Sequence, residues 1–75
     1  MDEWDTGKRI RKLRHKAGLT LTAGAAKAEL TKGTLSKIER GQISPPIATI
    51  MRIAKALEVS ITDFFVVQIR HLHTY

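Results

Sequence analysis

Apolar residues recur at Ile47, Ile50, Met51, Ala54 and Leu57, the i, i+3, i+4, i+7, i+10 order of one helix face and the strongest helical period in the chain. The spacing predicts a helix that starts at the rigid Ser44-Pro45-Pro46 step, because proline suits a first helical turn, and it predicts that all five residues are core. Nearer the N-terminus, Ile10, Leu13 and Ala17 form a narrower stripe on a helix capped by Asp5 or Thr6 and stopped by Gly18. Thr20 caps an alanine-rich helix that reaches about Ala28 and carries Gly24 in its middle. Thr31 caps a third helix to about Arg40, with Gly41 past its end, which leaves only a tight turn around Glu29-Leu30 between the second and third helices. Ser60 and Asp63 match a capping box, so "ITDFF" opens a short last helix whose Phe64 and Phe65 cover the open end of the core. Trp4 reads as a lid on the core edge against helix one. From Val66 onward the pattern suits a strand, a frayed helix end or a disordered tail equally.

The third helix differs from an ordinary surface helix in its polar side. Leu35 and Ile38 point one way, while Gly33, Ser36, Lys37 and Arg40 fall at i, i+3, i+4 and i+7 on another, flanked by Lys32. That side has no glutamate-to-lysine i, i+4 pair of the kind that supports a helix merely solvated in water. Gly33 weakens a helix slightly, and its use is plain if a nucleic-acid backbone or base edge must come close. The short turn before it fixes this helix against the second, the helix-turn-helix arrangement. Lys32 or Lys37 can donate to guanine O6 and N7, Ser36 can bond to several bases, and Thr31 and Thr34 can bond phosphates together with the amides of the helix N-terminus. A solvated face is the competing reading.

Composition narrows the classes. Seventy-five residues make one small domain, here all-α, with a core over about 7–65 and a short tail over 66–75. The net charge of +6 favours a polyanionic partner, because the cations crowd helix one (Lys8, Arg9, Arg11, Lys12, Arg14, Lys16) and the middle (Lys27, Lys32, Lys37, Arg40). The absence of cysteine excludes a disulfide framework and thiol or Cys-based zinc chemistry. No apolar run approaches a membrane span, and "MDEWDTGK" lacks the order of a signal peptide, so a soluble, cytoplasmic protein is expected. Asp63, Glu39 and the three histidines form no acid–base pair, there is no glycine-rich phosphate loop, and His71 and His73 lack a third ligand. No enzyme, metal or cofactor is expected.

"GKRIRKLRHKAGLTL", "TKGTLSKIERGQISPPIATIMRIAKAL" and "VSITDFF" together resemble the Cro/CI-type, phage-repressor-like helix-turn-helix domain of the XRE family, over about Gly7 to Phe65. The resemblance implies the five-helix lambda-repressor-like fold, with helices two and three as the DNA-binding pair. It implies sequence-specific binding of pseudo-palindromic operator DNA by a homodimer that regulates transcription, read here as a repressor with recognition helix 31–40 in the major groove. The family's major-groove positions fall on Lys32, Gly33, Ser36 and Lys37, and its phosphate positions on Thr22, Thr34, Arg40 and the backbone around Gln42. The family's helix-one arginine and recognition-helix glutamate fall on Arg14 and Glu39, an expected structural ion pair.

Three positions depart from the family pattern. Leu21 stands where glutamine is common and is read as packing. Glu29 stands where glycine is common, which either argues against a left-handed residue there or implies strain. Gly24 stands where a large aliphatic residue is expected; partial closure of the gap by Leu30, Leu35 and Met51, with reduced stability, is the expectation, so that Gly24→Leu should raise the melting midpoint. Candidate dimer surfaces are Ile53 with Val59 and the tail residues Val66, Val67 and Ile69. Two alternative readings are an antitoxin-like module with a protein partner, and the DNA-binding part of a longer regulator with a cupin-type sensing barrel.

Overall fold

A computed structural model of the chain describes residues 6–60. It has helices α1 (Thr6–Lys16), α2 (Leu21–Lys27), α3 (Lys32–Glu39) and α4 (Ile47–Ala56), and no strand among the described residues. The expected fifth helix, together with Trp4, Asp5, Asp63, Phe64, Phe65 and the tail residues Val66, Val67, Ile69, His71 and His73, falls outside the described residues.

The caps set these boundaries. The Thr20 and Thr31 hydroxyls accept from the amides of Ala23 (3.1 Å) and Thr34 (3.0 Å), which satisfies a first-turn donor in each helix. All four helices end in the same way. A left-handed residue follows each one (Gly18, Glu29, Gly41 and Glu58, φ 75, 61, 75 and 59°), and the next amide returns to a carbonyl five residues back. Those bonds are Leu19 to Arg14 (3.1 Å), Leu30 to Ala25 (2.8 Å), Gln42 to Lys37 (2.9 Å) and Val59 to Ala54 (3.0 Å). Glutamate therefore does take the left-handed conformation at Glu29, the strained alternative, at a cost on the order of 1 kcal/mol. Arg52 of α4 offsets part of it by donating to the carbonyls of Ala28 (3.1 Å) and Glu29 (3.2 Å), which closes the C-terminus of α2 with a cation.

The core is Ile10, Ala25, Ala28, Leu35, Ile38, Ile50, Ile53, Ala54 and Leu57. Two expectations fail on α4. Ile47 and Met51 are 58% and 56% exposed, whereas Ile53, expected as a dimer surface, is 2% exposed. The arginine sets the rotation: with Arg52 held on the end of α2, the face about 130° round the helix turns inward, centred on Ile50, Ile53 and Leu57. Ile47 and Met51 then share the outer edge. On α1 the same thing happens to Ala17, which is exposed, while Gly7 and Arg14 are buried instead.

Gly7 marks a close crossing. A Cβ there would run into the backbone carbonyls of Ile38 and Glu39, so α1 lies directly against the last turn of α3. At Gly24 no gap needs closing: a Cβ would sit 2.9 Å from Arg14 Cδ and 3.5 Å from Leu35 Cδ2, because the Arg14 stem fills the space where an aliphatic side chain was expected. Met51 plays no part. Since the Arg14 head is held at both ends of its guanidinium, the stem has little freedom to move aside. The expected stabilisation by Gly24→Leu is thus reversed: overpacking of about 1–3 kcal/mol outweighs the helix-propensity gain of up to about 1 kcal/mol, and a thermal melt should show a lower midpoint.

Candidate nucleic-acid interface

α3 packs against α2 and α1, which fixes its inner face and leaves its N-terminus and outer face in solvent. The amides of Lys32 and Gly33 stand at its open end. Lys32, Gly33 and Lys37 are exposed and Ser36 is half-buried, so the four expected base-reading residues lie together along one accessible side. Among the described residues, nothing beyond its chain neighbours and its own helix backbone lies within 4 Å of a Cβ built on Gly33, so the described fold places no demand for glycine there.

The expected phosphate residues separate into different kinds. Thr31 donates to Thr34 Oγ1 (2.8 Å) while accepting its amide, which makes Thr31 a cap and leaves the Thr34 hydroxyl proton as the one free to reach outward. Arg40 is exposed; its Nε makes only a long bond to the Ser36 carbonyl (3.4 Å). Thr22 is exposed on the first turn of α2. Around Gln42, the Gln42 amide donates to Lys37 O (2.9 Å) and the Gly41 amide to Ile38 O (3.1 Å), and the Gln42 side chain is exposed.

Glu39, the only acid in α3, is turned away from this side. Arg14 Nε donates to Glu39 Oε2 (2.7 Å), Nη2 to Oε1 (2.9 Å) and Nη1 to the Leu19 carbonyl (2.9 Å). The side chains are 8% and 5% exposed, and no buried side-chain polar atom lacks a partner among the described residues. The hydrogen bond to Glu39, and then its charge, hold the guanidinium proton more firmly than usual despite the opposing effect of burial. The pair joins α1 to the end of α3 and removes the one negative charge from the outer face.

The sequence left two contributors unseen. Arg52 and its carbonyls are separated by 24 and 23 residues, beyond any local spacing rule. Gly7 gave no cue at all. Among the described residues no group of His, Cys, Asp and Glu could hold a metal, and no helix is long and apolar enough to cross a membrane.

The family described as HTH_3, Helix-turn-helix, matches residues 10–64. HTH-type transcriptional regulator PuuR of Escherichia coli (strain K12) is 34% identical over 59 residues, 79% of this chain and 32% of that protein, so the chain spans about a third of the length of the curated relatives it matches. Among solved structures, the restriction-modification controller protein C.AhdI from Aeromonas hydrophila is 30% identical with a TM-score of 0.80, covering 85% of this chain and 93% of its own. An HTH_3 family transcriptional regulator from Vibrio cholerae is 38% identical with a TM-score of 0.77, covering 88% and 39% respectively.

Proposed function

This chain belongs to the HTH_3 helix-turn-helix family, and we propose that it is a transcriptional repressor that sets α3 in the major groove of a pseudo-palindromic operator and binds as a homodimer. The family is one of DNA-binding transcriptional regulators and not of enzymes. One observation carries the reading: the outer side of α3 presents Lys32, Lys37 and Arg40, while its only acid is buried and neutralised by Arg14. Such a side attracts a polyanion wherever its register falls, and the two lysines and Ser36 supply the donors that distinguish bases. Lys32, Gly33, Ser36 and Lys37 are assigned to base edges. Thr22, Thr31, Thr34, Arg40 and Gln42 are assigned to phosphates, with Thr31 also holding the helix start. The protein acts where the DNA lies, in the cytoplasm of a bacterium.

Two substitutions separate these roles. Lys37→Ala should relax preference at one or two base pairs of each half-site, at about 1–3 kcal/mol, whereas Arg40→Ala should weaken all duplexes alike and flatten the salt slope by about one. Binding curves on operator and scrambled duplexes, measured at several salt concentrations, read both effects. If Lys37→Ala weakened every duplex equally, Lys37 would be a phosphate contact.

For the dimer, the exposed apolar residues offer a surface. Ile43, Ile47 and Met51 are 42%, 58% and 56% exposed, and from Gly41 to Met51 the chain carries no charge. A second copy at +6 is repelled over most of the surface but not here, and an apolar patch is complementary to itself across a two-fold axis. Met51→Lys would set like charges opposite each other, so sedimentation velocity should show dimer association weakened, the dissociation constant rising by at least about tenfold. An unchanged association constant would move the interface elsewhere, the chain's own residues 61–75 included.

A second reading, the DNA-binding part of a longer regulator, is favoured by the span of about a third relative to PuuR. The coding sequence after codon 75 decides between the two: an in-frame continuation supports the longer protein, and a stop codon the shorter one.

A further inference from the structure

Beside the base-reading side of α3 lies a groove of about 250 Å³, lined by Arg11, Arg14, Leu21, Ser36, Glu39 and Arg40. It is open, and it is smaller than the roughly 300–1,000 Å³ of pockets that hold organic ligands. Its charges are unequal. Arg14 and Glu39 neutralise each other through two hydrogen bonds, so the pair adds no net charge to the groove. What is left is cationic: Arg11 from α1 and Arg40 from the C-cap of α3 both line the groove and are exposed, with Ser36 one turn before Arg40. Among the described residues, Arg40 Nε makes one long bond, to Ser36 O (3.4 Å). Leu21 supplies an apolar wall and no competing hydrogen-bond acceptor from its side chain.

We propose that this groove receives one backbone phosphate of the DNA duplex, clamped between Arg11 and Arg40, and that Arg11 is therefore a DNA-contacting residue of helix one. The inference rests on the reading of α3 as the DNA-binding helix, since Ser36 and Arg40 belong to both surfaces. Two exposed arginines lining one small groove match the several acceptor oxygens of a phosphate better than they match a single base edge. The contact positions the duplex and reads no sequence. Because Arg11 is three residues before Arg14 on α1, the buried pair that ties α1 to α3 also sets the spacing of Arg11 and Arg40.

The test compares Arg11→Gln with Lys12→Gln. Both residues are exposed on α1, and each substitution removes one positive charge, but only Arg11 lines the groove. Binding of an operator duplex, or of mixed-sequence duplex, is measured between about 50 and 200 mM monovalent salt, over which each phosphate contact changes affinity by about 3.5-fold. Arg11→Gln is expected to lower the slope of log affinity against log salt by about 0.9, with unchanged base preference, and Lys12→Gln by less than half as much. Arg11→Lys, which keeps the charge, should restore most of the slope. Equal losses from Arg11→Gln and Lys12→Gln would overturn the inference in favour of diffuse attraction, and so would an unchanged slope in Arg11→Gln. Failure of the unaltered protein to bind any duplex would instead remove the DNA-binding reading on which the inference stands.

Discussion

Glu39→Ala is expected to lower the free energy of unfolding by about 3–5 kcal/mol, the largest effect of any single substitution considered for this chain. The reason is what it leaves behind. Arg14 would keep its charge and its bond to the Leu19 carbonyl, but its Nε and Nη2 donors would lose both carboxylate partners in a place from which water is nearly excluded. A domain of this size has only about 5–15 kcal/mol in total, so chemical denaturation at room temperature should show a midpoint near the start of the accessible range. Replacing both residues, Arg14→Met with Glu39→Leu, should recover much of the loss, because no charge then remains buried and the methionine still covers the space above Gly24. A double-mutant cycle measures the coupling directly. If Glu39→Ala cost less than about 1 kcal/mol, the pair would be behaving as a solvent-exposed one and the burial described above would be wrong.

Gly7→Ala is expected to cost about 3 kcal/mol, the upper end of what overpacking does. Most overpacked sites relax by turning a neighbouring side chain. Here the added methyl would meet the carbonyl oxygens of Ile38 and Glu39, which are backbone and end α3, so α1 must move as a body or α3 must lose its last turn. Either change disturbs the seating of α3, and Gly7→Ala should therefore weaken DNA binding although Gly7 is remote from the reading side. Thermal unfolding checks the first effect. Binding measured well below the melting midpoint checks the second.

These two positions also illustrate what the sequence could and could not convey. Thr20, Thr31, Gly18 and Gly41 carry local signals, because a cap or a left-handed stop acts within a few residues; the starts of α2 and α3 and the ends of α1 and α3 follow from them. The polar side of α3 is legible for the same reason, since helix geometry alone puts Lys32, Gly33, Ser36 and Lys37 together. The glutamates at Glu29 and Glu58 give no such signal. They take the left-handed conformation because the chain must turn there, and the turn is held by bonds formed elsewhere, Arg52 among them.

Periodicity misled on α4 by about one residue. Ile47, Ile50, Met51, Ala54 and Leu57 are a regular series, yet Ile50, Ile53, Ala54 and Leu57 are an equally regular one, and it is the second that is buried, with Arg52 docked on the end of α2. Gly24 misled in a different way. Read alone it is a missing side chain; read with Arg14 it is the room that an arginine stem requires on its way to Glu39. Contacts of this kind couple residues 10 to 25 positions apart and leave no pattern in either stretch. The corrections therefore fall on packing, while the reading of the α3 surface survives them as a proposal for experiment.

The most direct measurement is selection of bound sequences from a random duplex library by the purified protein, at two salt concentrations, read by sequencing. The account predicts an enriched inverted repeat whose half-sites lie about one helical turn, 34 Å, apart, retained at the higher salt. Salt-sensitive binding with no enriched sequence would contradict it, and would mean that Lys32, Ser36 and Lys37 attract the duplex without reading it.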